Sequence, residues 1–166
     1  MTALGSIKLR ITGMGVIFYS PFATEKIQEG EDYLSSNFEN PDLVEAEALR
    51  GGIVGINLGT PGDFILNIYA GYPNEDHVTK SAYKLRAGIE VKDEIICVRD
   101  LFDLMNWSRN ISERQIISLE NGFYHMTFLS DEPSSGILGD DQIISLYLQR
   151  LEEMPKLKFN GIPTLC

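Results

Sequence analysis

The chain has 166 residues, room for one domain but scarcely for two, and its 43% hydrophobic and 23% charged residues can build a core that takes roughly 70% of the unfolded surface out of water, which excludes wholesale disorder. Fourteen Lys and Arg against 24 Asp and Glu leave a formal charge of −10, a field that repels phosphate backbones and anionic lipid and attracts basic proteins and metal cations. Direct nucleic-acid binding is therefore not expected. Nor is a membrane span, because no uninterrupted apolar run approaches the roughly 18 residues a bilayer requires.

Cys97 and Cys166 are the only cysteines, too few for a disulfide framework or a cysteine-rich zinc site, and this usage suits a reducing cytoplasm. Lys8 and Arg10 precede a mildly apolar stretch in the manner of a signal peptide. Thr12, Gly13 and Gly15 interrupt that stretch, however, and Ile7, Leu9 and Ile11 alternate as in a strand, so no cleaved leader is expected.

In chain order, residues 7–11 and 16–19 read as two strands pairing at the entry to a sheet, from their β-branched and aromatic content. Residues 24–50 read as a helical insertion, with a weak helix over 24–34. A firmer helix opens at Asn40-Pro41-Asp42 and stops at Gly51-Gly52. The acids Glu25, Glu29, Glu31, Asp32, Glu39, Asp42, Glu45 and Glu47, against Lys26, suggest a solvated helical face. Residues 53–58 and 64–69 flank Gly59-Thr60-Pro61-Gly62-Asp63 and read as a hairpin. After a polar loop at 73–77, residues 82–91 and 94–99 form short strands on either side of Lys92-Asp93. Residues 100–107 read as a helical turn, since Leu101, Leu104 and Met105 share a face.

Residues 115–119 and 123–130 enclose Asn121-Gly122, a strong hairpin signal, and place Tyr124, Met126 and Phe128 on a core face opposite His125 and Thr127. A Pro/Gly/Ser loop covers 131–141. Residues 142–151 fit a strand and a helix equally well, and the tail over 152–166 reads as extended. The expected architecture is one mainly β domain over 1–166, an antiparallel β-sandwich with one or two short helices; a barrel is the related alternative.

No catalytic constellation emerges. His77 follows Glu75 and Asp76 without a second histidine to complete a metal site and reads as part of a solvated loop, and His125 reads as a structural strand residue. Gly-x-Ser-x-Gly, P-loop and complete dinucleotide-loop motifs are missing, and Cys97 reads as a small buried hydrophobe. No enzyme activity, cofactor or metal is expected. The acid pairs Asp93-Glu94, Asp131-Glu132 and Asp140-Asp141 keep two alternatives open: a calcium-dependent binding sandwich, or a hydrolase of unrecognised type.

The order of segments resembles the competence protein J family. The residues that carry it are Ile17-Phe18-Tyr19 followed by the acidic segment 26–33; Phe64-Ile65-Leu66; the stretch 91–98; and Leu119-Glu120-Asn121-Gly122-Phe123-Tyr124 running to Asp131-Glu132-Pro133. The stretch 141–147 looks like the family's closing strand, which turns 142–151 toward strand. Against that pattern 37–50 reads as an insertion, 100–114 is longer and the tail beyond Leu151 is extra.

The resemblance implies a non-enzymatic inhibitor or immunity protein that binds and blocks a basic nuclease toxin, its acids standing in for the nucleic-acid backbone. Chemistry alone nominates the contacts. Glu75, Asp76, Asp131 and Glu132 in loops can enter a basic cleft, and Trp107, Phe102 or Tyr72 can fill a partner pocket, the alternative for Trp107 being plain burial in the core.

Overall fold

The computed structural model describes residues 2–38, 40–157 and 162–165. Nine strands are found among them: β1 (Thr2–Ile11), β2 (Gly15–Tyr19), β3 (Val54–Asn57), β4 (Gly62–Ala70), β5 (Tyr83–Val91), β6 (Ile95–Asp100), β7 (Ile116–Ser118), β8 (Gly122–Ser130) and β9 (Gln142–Leu151). They build a five-stranded sheet in the order β1-β4-β9-β8-β5 and a four-stranded sheet in the order β3-β2-β6-β7. The pairing is antiparallel except between β4 and β9, which run parallel with Phe64 opposite Gln142 and Ala70 opposite Leu148.

Period-two alternation puts Ile7, Leu9 and Ile11, then Phe64, Leu66 and Ile68, then Tyr124, Met126 and Phe128, then Ile144, Leu146 and Leu148 into one core with Val16, Phe18, Ile56 and Val98 of the facing sheet. The mainly β sandwich expected from sequence is present, and 142–151 is a strand. A second core lies on the other side of the four-stranded sheet, where Ile17, Tyr19 and Cys97 meet Ile27, Val44, Leu104 and Trp107. Apolar material on both faces explains why every residue of β2 is buried and why 16–19 is an unbroken apolar run.

The short turns differ from the sequence reading. The runs 7–11 and 16–19 do not pair, the strands flanking 59–63 are not a hairpin, and neither are those flanking Asn121-Gly122. In each case the first strand belongs to one sheet and the second to the other, as it does across Lys92-Asp93. Consecutive strands that do pair are joined by long connections: 20–53 between β2 and β3, 101–115 between β6 and β7, and 131–141 between β8 and β9.

The segment 24–50 is helical in pieces. A 3-10 turn spans Pro21–Thr24, a π turn spans Leu34–Phe38, and α1 spans Pro41–Arg50; the helix expected over 24–34 is absent because Gln28, Gly30 and Glu31 form turns tied to Trp107. The Asn40 side chain accepts from Asp42 N and Leu43 N, as its N-cap position requires, and Gly51 follows at φ +69°. Residues 101–105 form the expected helical turn, as 3-10. The loop read at 73–77 contains the start of α2 (Glu75–Lys80), capped by Asn74, whose side chain accepts from His77 N at 2.7 Å. This crossover from β4 to β5 lies on the outer face of the five-stranded sheet. Of the tail, 152–157 has no regular structure and Thr164 bridges to Asn57 beside β3; the remaining tail positions, with Cys166, lie outside the described residues.

Candidate functional site

The β8–β9 connection is held from beneath by two buried polar residues. Gln142 donates to Ser130 Oγ at 2.9 Å and accepts from Gly139 N at 3.0 Å, while Ser130 Oγ donates to the Ile143 carbonyl at 2.7 Å. Asp63 N donates to the Gly139 carbonyl at 2.7 Å, which binds the loop to the start of β4. Gly139 sits at φ +81°, and a Cβ there would stand 2.6 Å from the Pro61 carbonyl oxygen. The loop is thereby fixed, and its acids are presented from a rigid base.

Above that base is a hollow of about 520 Å³ whose walls include Asp131, Glu132, Asp140, Asp141, His77 and Ile143. The four carboxylates are exposed, and none forms an ion pair among the described residues. Asp131 Oδ1 accepts from Ala82 N at 2.8 Å, which links the loop to the start of β5, and Asp141 takes φ +48°, a conformation Asp tolerates better than most side chains. Ile143 on the wall and Ile137 in the same loop are 53% and 65% exposed, an apolar component among the acids. Unneutralised negative charge with exposed aliphatic side chains suits a basic, partly apolar protein surface.

Of the acids nominated from sequence, Asp131 and Glu132 line this hollow together. Glu75 and Asp76 stand in the first turn of α2, next to His77; Glu75 lines a neighbouring hollow with Tyr72, Val78 and Arg86. Asp140 and Asp141 complete the acidic wall, although the sequence marked them only as an acid pair. His77 is not in a solvated loop: it is part of α2 and its Nδ1 lies 2.8 Å from the Tyr147 hydroxyl. His125 pairs with Tyr72 in the same way, at 3.0 Å, and its pKa is pushed down by burial and by nearby Arg86. Among the described residues no three His, Cys, Asp or Glu side chains are grouped to hold a metal ion.

Trp107 corrects the anchor reading. It is 2% exposed, with Arg99 Cζ 4.3 Å above its ring and Tyr19 edge-on at 5.5 Å, so the ring belongs to the second core and cannot protrude into a partner. Tyr72 and Phe102, at 46% and 42% exposure, remain available. Of the acids of 24–50, Glu25, Glu29, Asp32 and Asp42 are exposed as a solvated face requires, but they stand on separate turns and on α1 rather than on one helix. Glu29 accepts from Arg109 N, Glu31 from Gln28 N and Asp32 from Ser35, while Glu47 is buried and pairs with Arg50; Glu39 lies outside the described residues. Cys97 is buried, as expected, and its thiol is a free one. No helix among the described residues is long and apolar enough to cross a membrane.

The two sheets make up a ComJ-like fold. The crystal structure of ComJ, inhibitor of the DNA degrading activity of NucA, from Bacillus subtilis, matches with a TM-score of 0.52 over 90% of this chain and 98% of that one, at 11% identity. A second solved structure, crocagin biosynthetic gene J, matches with a TM-score of 0.52 over 89% of this chain and 98% of that one, at 10% identity. At these identities the likeness is one of fold. No protein-family model matches the sequence, and no curated protein matches it.

Proposed function

We propose that this chain is a non-enzymatic inhibitor or immunity protein that binds and blocks a basic nuclease toxin in the bacterial cytoplasm. The observation that carries the reading is the acidic hollow at the β8–β9 connection, where Asp131, Glu132, Asp140 and Asp141 have no ion pair among the described residues and stand beside the exposed Ile143 of β9. A nuclease cleft is built to receive closely spaced negative charge, and a wall of carboxylates satisfies its cationic residues while the sandwich behind it excludes DNA. Glu75 and Asp76 extend the negative surface across α2. The likeness to ComJ, whose own role is inhibition of NucA, supports the same class of partner.

The test is a DNA-degradation assay with NucA, and with any nuclease that a neighbouring reading frame encodes, titrated with the full chain. Stoichiometric loss of DNA cleavage by either enzyme is the expected result. Undiminished cleavage by both at molar excess, with no complex on a sizing column, overturns the reading.

A further inference from the structure

Seven large apolar side chains are exposed among the described residues, and five of them, Met14, Phe102, Met105, Ile137 and Ile143, stand at one end of the sandwich. At that end β1, β3, β6 and β8 finish and β2, β4 and β9 begin, as the pairing of Ile11 with Gly62, Gly15 with Asn57, Val16 with Asp100, Phe64 with Gln142 and Ser130 with Ile144 shows. Single exposed apolar side chains are ordinary, but a concentration of them marks a surface that meets another protein. The two isoleucines belong to the acidic hollow. The other three form a second patch, on the turn 12–14 and the 3-10 turn 101–105.

That patch is rigidly built. Leu101 and Leu104 enter the second core, while Phe102 and Met105, three apart and therefore aligned in a 3-10 turn, face solvent together. The Phe102 ring rests on Gly13, where a Cβ would stand 2.7 Å from the ring carbon Cγ. One carboxylate fixes both turns: Asp100 Oδ2 accepts from Thr12 N at 2.8 Å and Gly13 N at 3.2 Å, and its Oδ1 accepts from Phe102 N at 2.9 Å. The Met14 carbonyl accepts from Leu58 N at 2.7 Å. An aromatic ring that is already held in place yet exposed gives up little freedom when a partner covers it, which is the property of an interface hot spot.

The patch also lies within one footprint of the acidic hollow. Met14 is bonded to Leu58 and Gly139 to Asp63, and the chain from 58 to 63 spans at most about 18 Å. With about 5 Å for each bonded crossing, the two backbones are within about 28 Å, whereas a round footprint of about 800 Å² measures roughly 32 Å across.

We propose that Met14, Phe102 and Met105 are the apolar anchor of the same partner interface, with Phe102 entering a pocket on the nuclease beside the basic cleft that the hollow's acids occupy. This assignment rests on the inhibitor reading and adds a second contact to it.

The test measures dissociation constants of the full chain for NucA, and for any nuclease that a neighbouring reading frame encodes, at about 0.1 M and about 0.5 M salt. Phe102→Ala, and separately the pair Met14→Ala with Met105→Ala, should weaken binding about tenfold or more, by the same factor at both salt concentrations because an apolar contact is not screened. Phe102→Leu keeps an apolar side chain on Gly13 and should weaken binding less, at the wild-type melting temperature. Leu43→Ala is the control: Leu43 is as exposed as Phe102, but it lies on α1, which ends where Gly51 bonds Glu90 at the opposite end of the sandwich. It should leave the affinity within about twofold. A wild-type complex whose affinity is unchanged by Phe102→Ala and by the methionine pair overturns the inference and leaves the inhibitor reading standing, whereas no complex with wild type overturns both. Weaker binding confined to variants with a lowered melting temperature overturns the inference too. So does a free chain that runs as a dimer on a sizing column and as a monomer with Phe102→Ala, since the patch then belongs to a second copy.

Discussion

His77 Nδ1 stands 2.8 Å from the Tyr147 hydroxyl, and this contact fastens the six-residue α2 to β9, the middle strand of the five-stranded sheet. The Tyr69 and Tyr147 rings stack at 5.0 Å beneath it. Tyr147→Phe keeps the stack and removes the hydroxyl, so it should cost about 1 kcal/mol in urea unfolding. Amide exchange should accelerate at Val78 and Ser81 while β9 stays protected.

The neighbouring Tyr72–His125 contact carries a pH dependence. The folded-state pKa of His125 lies below its ordinary 6.5, through burial first and Arg86 second, so the folded state binds fewer protons than the unfolded one. Its contribution to stability is full above the unfolded value, is lost as pH falls through the folded value, and levels off below that. Melting temperature followed from about pH 7.5 down to about pH 5 should fall more steeply in wild type than in His125→Gln. Parallel curves would remove His125 as the source.

Arg99, 6% exposed, donates to Asp103 Oδ2 at 2.9 Å and to the Ser108 carbonyl at 2.6 Å while lying over Trp107. Arg99→Met retains bulk but loses the charge-assisted bonds and the cation–π contact, for an expected loss of about 2 to 3 kcal/mol. Tryptophan emission should shift as the ring loosens, well before global unfolding in denaturant.

For the acidic hollow, Glu132→Gln and Asp140→Asn should each raise the dissociation rate of the nuclease complex, at a cost of about 2 to 5 kcal/mol where the carboxylate is fully desolvated. Glu75→Gln and Asp76→Asn sit beside the hollow; a rise in off-rate there would extend the contact across α2. Neutralising Glu45, outside this end, should slow association only and lessen its salt dependence. Off-rates that respond to Glu45 and ignore the hollow would place the interface on the other face.

Two glycines in one loop separate strain from crowding. Gly136 has φ +75° and open space around it, so Gly136→Ala should cost only the left-handed strain of about 1 to 2 kcal/mol. Gly139→Ala adds the collision with the Pro61 carbonyl at 2.6 Å and should be clearly the more destabilising in thermal melts.

Much of this architecture was legible because alternation is a property of single strands: Tyr124, Met126 and Phe128 face the core as their spacing demands. Partner choice was not. Gly59 to Asp63 and Asn121-Gly122 state that the chain turns, and the same turn chemistry serves a hairpin and a corner between sheets. Asn121 shows the difference: its side chain accepts from Glu94 N at 2.8 Å, joining one corner to another rather than closing a hairpin. Asp131 and Glu132 were visible as loop acids, but their meeting with Asp140 and Asp141 depends on β8 pairing with β9 across 11 intervening residues, from 131 to 141. The burial of Trp107, kept in the sequence as the alternative to an anchor, could not be decided there because Tyr19 against its ring and Gly30 and Glu31 on its backbone come from far away in sequence.

The placement of β9 between β4 and β8 bears on how the chain is made. The strand that joins the two halves of the larger sheet, β9, follows all four of that sheet's other strands in the chain. Until it arrives, β1 with β4 and β5 with β8 are separate ribbons, each with an open edge toward the gap that β9 will fill. Nascent chains halted before Gln142 should therefore be aggregation-prone and chaperone-bound, with the sheet closing only after the final strand slots in. Synthesis of β9, rather than the emergence of any early hairpin, becomes the step that commits the molecule to its fold.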